Sequence, residues 1–212
     1  SEHACSYWLP ELENIQAIII GGPGATKDFV VKNDYFHHEI AKKIAKTTFD
    51  VGYSNESGVR ELVDNAGGLM SEIQLDTERK VVTEFLEELV KSQPKATYGE
   101  VMIRQALEQG AVSKLLISEG MRKNSVTIEC KSCSHEWSVT IGRMDALPAC
   151  PKCKSDGDDL VEVNSISLID EFSLLAAKGR SEVKFISTDT EEGAQLNSGF
   201  GGLAAVLRYP MM

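Results

Sequence analysis

Apolar positions along the chain form short continuous runs and helical stripes that alternate with each other. Residues 15–20 are a nearly continuous apolar run followed by a glycine and proline cluster, which is typical of a buried strand. One helix face is predicted from the stripe Val81, Val82, Phe85, Leu86 and Leu89. Further strands are expected over residues 112–118, 183–187 and 203–209, and helices over residues 98–109 and 166–177. This alternation predicts the α/β fold class, with two packed units that each contain a mixed sheet.

Local signals suggest where some elements start. Phe36, Ile40 and Ile44 recur every four residues, so residues 35–46 are predicted to be an amphipathic helix, with a short strand after it at residues 48–51. Thr97 is followed by Glu100 three residues later, which is the spacing of a capping box. We therefore expect the helix over residues 98–109 to begin with that pair.

A pair of glycines marks the expected domain boundary. Gly67 and Gly68 interrupt a helical pattern, which favours a boundary near residues 68–75, although a continuous helix could also bridge it. We therefore expect one unit at residues 1–70 and a second at residues 71–212.

The charge of the chain restricts its partners. The net charge is −10, with 6 basic against 10 acidic residues in positions 1–70 and 16 against 22 in positions 71–212. An extended basic face for nucleic acid is thus disfavoured, because lysine and arginine drive phosphate binding. No apolar run approaches the length needed to span a bilayer, and the chain opens without a signal sequence, so a cytoplasmic protein with protein partners and no membrane contact is expected.

The cysteines form the strongest chemical signal in the chain. Two C-x-x-C pairs, Cys130 with Cys133 and Cys150 with Cys153, are separated by 16 residues. Two such knuckles can supply the closed sulfur tetrahedron of structural zinc. Iron in the same shell stays open, and disulfides or free thiols are the structural alternatives. His135 is expected to be a polar surface residue, and Cys5 an ordinary helix residue.

The residues between the two knuckles predict the shape of this region. Trp137, Val139 and Ile141 alternate with polar residues, which indicates a strand that returns toward Cys150. We expect a zinc ribbon inserted in the second unit at about residues 124–156.

Several segments in the same order resemble one known family. They are Gly-Gly-Pro-Gly-Ala-Thr-Lys-Asp-Phe at residues 21–29, Tyr-Phe-His-His-Glu at 35–39, the run from Tyr53 to Val63, Tyr-Gly-Glu at 98–100 and the tail at 192–209. Together they resemble the central and third domains of class 1 peptide chain release factors of archaea and eukaryotes. The cysteine pairs resemble the small ribbon in the third domain of archaeal members.

The resemblance implies specific roles. The third domain of this family is similar in fold to kink-turn RNA-binding ribosomal proteins and binds a translational GTPase. In archaea this partner would be elongation factor 1-alpha acting as the release GTPase, and the full-length protein would contact the ribosome. The tail residues Leu207, Arg208 and Tyr209 are the positions that the resemblance assigns to partner binding.

Peptide release in this family depends on a Gly-Gly-Gln loop, and this sequence contains none. The Gly-Ala-Gln at residues 193–195 has the flanks of the third domain. We therefore expect this chain to be one portion of a release factor, the factor that recognises stop codons and directs peptidyl-tRNA hydrolysis. This portion is not expected to be an enzyme.

Three other interpretations compete with this one. The tail also fits the ribosome-rescue factor Pelota, which has a similar ending. A zinc-ribbon RNA-binding module is disfavoured by the acidic composition and by the lack of aromatics interleaved with arginine. A phosphate-binding loop at residues 21–27 is disfavoured because the glycines match neither common phosphate-binding spacing.

Overall fold

A computed structural model describes residues 2–33, 35–142 and 145–211. The chain divides into two compact units, Ser1–Thr77 and Glu78–Met212. Both are built from helices and strands, which confirms the predicted α/β fold class.

The first unit contains a two-stranded parallel sheet. Its elements are α1 (Glu2–Trp8), β1 (Ile18–Gly22), α2 (Thr26–Lys32), α3 (His38–Ala41), β2 (Ile44–Asp50) and the first part of α4 (Glu56–Leu89). Strand β1 pairs with β2 so that Ile18 lies beside Ile44 and Gly22 beside Asp50. Helix α2 packs against both strands. The loop after β1 is therefore set between a strand end and a helix.

The predicted amphipathic helix over residues 35–46 is wrong for most of its length. Only residues 38–41 are helical, and Ile44 begins a strand that continues to Asp50. Pairing with β1 satisfies the backbone groups of this segment, and its Ile, Thr and Phe side chains suit a strand. Long-range strand pairing therefore determines the backbone conformation of this segment more strongly than its apolar spacing of four residues does.

The glycine pair does not interrupt α4. The helix runs unbroken for 34 residues through Gly67 and Gly68. A glycine inside a helix costs about 1 kcal/mol relative to alanine, which a long helix can tolerate. The helix ends at Leu89, shortly before Pro94, as the sequence indicates.

The second unit is built around a four-stranded mixed sheet. Its elements after α4 are β3 (Ala96–Tyr98), α5 (Glu100–Glu108), β4 (Val112–Ser118), β5 (Lys123–Cys130), β6 (Glu136–Gly142), β7 (Leu160–Ser167), α6 (Leu168–Lys178), β8 (Glu182–Ile186), α7 (Glu191–Gly199) and β9 (Leu203–Leu207). The strand order is β3-β9-β4-β8. Strands β4 and β8 are parallel, and β9 is antiparallel to β3 and β4.

Both faces of this sheet are buried. Leu115 of β4 lies in a cluster with Ile103 of α5 and Phe172 of α6. Leu116, the next residue, lies in a second cluster with Phe85 of α4 and Leu196 of α7. Successive strand residues point to opposite faces, so the sheet is the middle layer of a three-layer unit.

The expected capping box does not form. Thr97 is a strand residue paired with Ala205, and the N-cap of α5 is Gly99 at φ 82°, without a side-chain cap bond. Strand pairing holds Thr97 in extended backbone, and a glycine makes the left-handed turn into the helix at little cost. Helix α5 therefore begins later than the predicted residue 98.

A separate antiparallel sheet lies between β4 and α6 in the sequence. Its strand order is β6-β5-β7. Val126, Ile128 and Leu160 are its buried apolar side chains, and Trp137, Val139, Ile141 and Leu147 pack against them. We call residues 123–167 the ribbon. Its small apolar core also contains the buried Cys130 and Cys150.

Candidate functional site

The tertiary structure brings the two C-x-x-C pairs together. The sulfur atoms of Cys130, Cys133, Cys150 and Cys153 all lie within 4.8 Å of one another. The Sγ of Cys130 is 3.4 Å from that of Cys153, and the Sγ of Cys133 is 3.7 Å from that of Cys150. These distances exceed the disulfide bond length of about 2.05 Å, and all of these cysteines are free.

The sulfur spacing fits a tetrahedral metal site. A zinc–sulfur bond of about 2.3 Å gives tetrahedron edges of about 3.8 Å, close to the two distances observed. His135, beside the first knuckle, is not in this group; its ring stacks on Trp137, with centroids 5.7 Å apart. The four cysteines can therefore supply all the ligands of a zinc ion, with no contribution from His135.

The two knuckles have the same backbone geometry. In the first, the N–H of Ser134 donates to the carbonyl of Cys130 at 2.7 Å, and the N–H of Cys130 donates to the carbonyl of His135 at 2.9 Å. In the second, Lys154 N–H bonds the Cys150 carbonyl at 2.9 Å, and Cys150 N–H bonds the Ser155 carbonyl at 2.8 Å. Each knuckle therefore closes around the first cysteine of its pair.

Both knuckles also hold a non-glycine residue in the left-handed region. Ser134 has φ 51° and Lys154 has φ 66°, each directly after the second cysteine of its pair. Such backbone costs roughly 1–2 kcal/mol per residue and persists only where the surrounding structure imposes it. The same strained position in two separate segments indicates that the knuckles are shaped to aim sulfur atoms at a common centre.

The metal-free thiols differ in acidity. Hydrogen bonding to Ser155, whose hydroxyl oxygen is 3.3 Å from the Cys153 sulfur, lowers the pKa of Cys153 to about 6. Burial, together with hydrogen bonding to Cys153, raises the pKa of the Cys133 thiol to about 12. The solvent-exposed Cys153 is therefore the readier thiolate of these two at neutral pH.

A polar network joins the ribbon to the helices of the mixed sheet. The Thr140 hydroxyl on β6 donates a 2.7 Å hydrogen bond to Glu100 in the first turn of α5. Arg104 pairs with both Glu100 and Glu171 of α6, at 3.3 and 2.6 Å, and lies over the Phe172 ring at 5.0 Å. Hydrogen bonding to Glu171 raises the pKa of Arg104. These contacts join residues up to 67 positions apart, so no local pattern in the sequence indicates them.

The tail residues have different environments. Leu207, the last residue of β9, is only 4% exposed and belongs to the core cluster of the sheet. Arg208 and Tyr209 follow the strand and are exposed. Leu207 therefore anchors the strand, while the two residues after it present polar side chains at the surface.

Arg208 and Tyr209 both bond to the ends of helices. The Arg208 guanidinium donates to the carbonyls of Gly110, Arg180 and Gly179, at 2.9, 2.9 and 3.4 Å. The Tyr209 hydroxyl donates to the Gln109 carbonyl at 3.1 Å. These carbonyls follow α5 and α6, where a positive charge is favoured.

The glycine-rich loop of the first unit has its own internal contacts. The buried Lys27 directs its ammonium group to the carbonyl of Gly24 at 2.7 Å and to the Asp50 carboxylate at 2.5 Å. The lysine that a phosphate site would use is thus already engaged. This supports a structural turn over a phosphate-binding loop.

The Gly-Ala-Gln at residues 193–195 lies in the first turn of α7. The N–H of Gly193 donates to the side chain of the N-cap residue Thr190 at 3.0 Å. A Cβ at Gly193 would lie 1.9 Å from the carbonyl oxygen of Ser187. The glycine is therefore required by close backbone packing.

Among the described residues, no helix combines the length and apolar character needed for a membrane crossing.

Two protein-family models match consecutive parts of the chain. The model described as eRF1 domain 2 matches residues 1–72, and the model described as eRF1 domain 3 matches residues 75–211.

Curated relatives match over nearly the same span. Peptide chain release factor subunit 1 of Thermococcus sibiricus is 42% identical over 218 residues, covering 99% of this chain and 52% of the relative. The protein of the same name from Methanobrevibacter smithii is 42% identical over 199 residues, covering 93% of this chain and 48% of the relative. The chain thus spans about half the length of the curated relatives it matches.

Solved structures with a similar fold include the C-terminal domain of the peptide chain release factor from Methanosarcina mazei. It is 40% identical, covers 74% of this chain and 98% of that domain, and superposes with a TM-score of 0.61. Archaeal Pelota, solved on the ribosome with ABCE1, superposes with a TM-score of 0.58 at 18% identity, over 96% of this chain and 46% of that one. At that identity the likeness to Pelota is one of fold alone.

Proposed function

The chain belongs to the eRF1 family of peptide chain release factors, and on that premise we propose that it acts in translation termination as the part of a release factor that binds a translational GTPase. The main support is the consecutive match to eRF1 domains 2 and 3, since both domains follow each other here in one chain. Sequence identity of about 40% to archaeal release factors, against 18% to Pelota, favours termination over ribosome rescue.

The partner-binding surface in this proposal includes the tail. Arg208 is exposed, and Tyr209 is 47% exposed beside it. Arginine and tyrosine are over-represented among residues that dominate interface energetics. Their hydrogen bonds to helix ends hold the two side chains in place, so they lose little conformational freedom on binding. Leu207 is the buried end of the strand, so in this proposal it supports the two exposed residues that follow it.

Calorimetry against archaeal elongation factor 1-alpha loaded with GTP tests this surface. Truncating a central anchor typically costs about 2 kcal/mol or more, so Tyr209→Ala should weaken binding by at least roughly tenfold. Tyr209→Phe keeps the ring but loses the bond to Gln109, and it should bind more tightly than Tyr209→Ala. Lys80→Ala, which changes an exposed residue of α4, is the matched control.

Two outcomes would remove the tail from the proposal. One is a folded Tyr209→Ala, Arg208→Ala double variant that binds the GTPase as tightly as the unmodified chain. The other is no heat of binding from the unmodified chain at about 100 μM, which corresponds to an affinity too weak for a specific partner.

We further propose that this chain by itself releases no peptide. The sequence lacks Gly-Gly-Gln, and Gly193 has a packing role. Peptide release by the whole factor on the ribosome would then need a further segment that supplies the Gly-Gly-Gln loop. A reconstituted termination assay with this chain is the test, and stop-codon-dependent release above the factor-free background contradicts the proposal.

Finally, we propose that Cys130, Cys133, Cys150 and Cys153 hold one structural zinc ion. Support comes from sulfur spacing near that of a zinc tetrahedron and from two knuckles of the same geometry. Bound zinc would link the knuckles and stabilise the ribbon. Four protein ligands leave no open position, so the ion would have no catalytic role.

A further inference from the structure

Strand β8 lies at the edge of the four-stranded sheet, and among the described residues β4 is its only strand partner. The two strands pair in an unbroken register that places Glu182 beside Lys114 and Ile186 beside Ser118. An edge strand presents unpaired backbone N–H and C=O groups, which form a template for a further strand. The open side of β8 is therefore a surface on which another strand can pair.

Hydrogen bonds at the end of β8 show which of its backbone groups face outward. The Ile186 carbonyl accepts from the N–H of Glu119, directly after β4, at 2.9 Å, so the backbone of Ile186 faces β4. Because backbone groups alternate between the two sides of a strand, those of Val183 and Phe185 face away from β4. Within the described part of the chain, the N–H and C=O groups of these two residues have no hydrogen-bond partner.

The residues on either side of this open segment are already bonded. The N–H of Ser181 donates to the carbonyl of Ala176 at 2.9 Å. The N–H of Ser187 donates to the carboxylate of Glu78 on α4 at 2.8 Å. The open edge between the two serines therefore consists of two donors and two acceptors.

The side chains of the open segment are apolar on one face and balanced in charge on the other. Phe185 is 47% exposed and lies beside Ile117 of β4, and Val183 packs on the core cluster that contains Ile117. On the opposite face, Lys184 forms an ion pair with Glu182 at 2.7 Å. An unbalanced charge commonly protects an edge strand from further pairing, and this segment has none.

We infer that β8 pairs antiparallel with β8 of a second copy of this chain, about a two-fold axis at Lys184. Val183 of each copy then lies opposite Phe185 of the other, so that every open backbone group forms a hydrogen bond. Each Val183 also contacts a Phe185 ring, and pairs of aromatic and β-branched side chains stabilise antiparallel strands. An axis at Val183 would place Phe185 opposite Ser181, and an axis at Phe185 would place Val183 opposite Ser187. Both serine N–H groups are already used, so neither shift satisfies the edge.

A second copy matches this edge in pattern and in charge. The occupant must offer outward backbone groups at two alternate residues with apolar side chains on the same face, and β8 itself has this pattern. Its Glu182 and Lys184 cancel in charge, although each whole chain carries −10. On the axis Lys184 faces its counterpart, and the ion pair with Glu182 offsets the like charges. A two-fold contact in which both copies use the same surface is the commonest arrangement of homo-oligomers.

Sedimentation equilibrium of the full chain, from about 10 to about 500 μM, tests for this dimer. Salt at about 0.3 M screens the repulsion between two acidic chains. Because a single strand pair is much smaller than a standard interface, we expect a reversible monomer–dimer equilibrium with a dissociation constant in the upper part of this range. A chain that stays monomeric throughout would overturn the inference.

Substitutions at Phe185 test the surface. Phe185→Pro removes the ring and an outward N–H but keeps the pairing with β4, since proline is tolerated where the N–H of an edge strand faces solvent. It should weaken dimerisation by at least roughly tenfold, because the dimer loses hydrogen bonds and both ring contacts. Phe185→Ala keeps the donor and should weaken dimerisation less. Leu174→Ala, at another exposed apolar residue of the same unit, should leave it unchanged.

Two results with these variants would count against β8. One is a folded Phe185→Pro variant, with the near-UV circular dichroism of the unmodified chain, that dimerises as strongly as that chain does. The other, which applies even where the proline variant does not fold, is equal dimerisation by Phe185→Ala and Leu174→Ala. Either result would place the dimer contact elsewhere.

A substitution at Lys184 tests the register. Lys184→Glu should weaken self-association, because acidic side chains from both copies then meet at the axis. Mixed with the unmodified chain, the same variant should form heterodimers at least about threefold tighter than the unmodified homodimer, since opposite charges then face each other. Fluorescence-detected sedimentation of the labelled variant measures this, and heterodimers no tighter than the homodimer would contradict the proposed pairing. None of these measurements involves the GTPase, so the dimer and the proposed function can fail independently.

Discussion

The guanidinium of Arg208 donates a 2.9 Å hydrogen bond to the carbonyl oxygen of Gly110, 98 residues earlier in the chain. The same side chain bonds the carbonyl of Arg180 at 2.9 Å. One cation thus joins the carboxyl-terminal ends of α5 and α6 to the end of β9. Arg208 has a structural role in the isolated chain, in addition to any contact with a partner.

This role predicts a stability loss in Arg208→Ala. Removing several hydrogen bonds and a favourable helix-end charge at an exposed site should lower the unfolding free energy of the second unit by about 1–2 kcal/mol. Arg208→Lys keeps the charge but loses the planar donor set, so its unfolding free energy should lie between those of the unmodified chain and Arg208→Ala. Urea denaturation is the measurement, and an Arg208→Ala midpoint equal to that of Lys80→Ala would contradict the prediction.

Loss of one zinc ligand should affect the ribbon and spare the mixed sheet. Elemental analysis of the unmodified chain should find about one zinc per chain, and Cys133→Ser should lose it. Hydrogen exchange in Cys133→Ser should then accelerate in the ribbon while β4 and β9 keep their protection, because the ribbon has its own small core. Metal-free protein purified without chelator, or a disulfide between any of the four cysteines, would disprove the zinc assignment.

Zinc retention should depend on pH in a defined direction. Protons compete with zinc for thiolates, so apparent affinity falls as pH falls. Above about pH 6 Cys153 is already a thiolate, and below it zinc must displace one further proton. A plot of log affinity against pH should therefore steepen by about one unit of slope below pH 6. Competition with a chromophoric chelator measures this, and Ser155→Ala, which removes the largest cause of the low pKa, should move the break to higher pH.

The network at Arg104 should be sensitive to loss of its cation. Arg104→Met keeps the length of the side chain but leaves the partly buried carboxylates of Glu100 and Glu171 without their cation, at a cost of about 1–3 kcal/mol. Glu171→Gln in the Arg104→Met background should recover part of that loss, because the unpaired charge is removed. Denaturation midpoints of the four proteins in this double-mutant cycle give the coupling, and additive losses would show that the pair is not coupled.

Glycine at position 193 should be needed for folding. Gly193→Ala would place a Cβ 1.9 Å from the Ser187 carbonyl oxygen, and the forced backbone shift should destabilise the second unit by about 1–3 kcal/mol. At Gly199, in the same helix, the nearest atom would be 3.8 Å away, so Gly199→Ala should be neutral or stabilising. Equal melting temperatures for the two variants would contradict the packing role of Gly193.

Sequence by itself determined the features of this protein that depend on residues close together in the chain. Spacing within each C-x-x-C pair defines a knuckle, and the apolar run of residues 112–118 is strand β4 with the same bounds. Hydrophobic patterning worked there because buried side chains repeat with the period of the element that holds them.

Tertiary structure decided what depends on distant residues. Ile44, predicted to lie in a helix, is in a strand beside Ile18. Thr97, predicted to form a capping box, is in a strand beside Ala205. The tertiary structure also brought the sulfur of Cys130 to 3.4 Å from that of Cys153, and it placed the Arg208 guanidinium against the ends of two helices. Backbone pairing and hydrogen bonds between remote segments outweigh local preferences of less than about 1 kcal/mol per residue, and no local pattern records which remote segment supplies the partner.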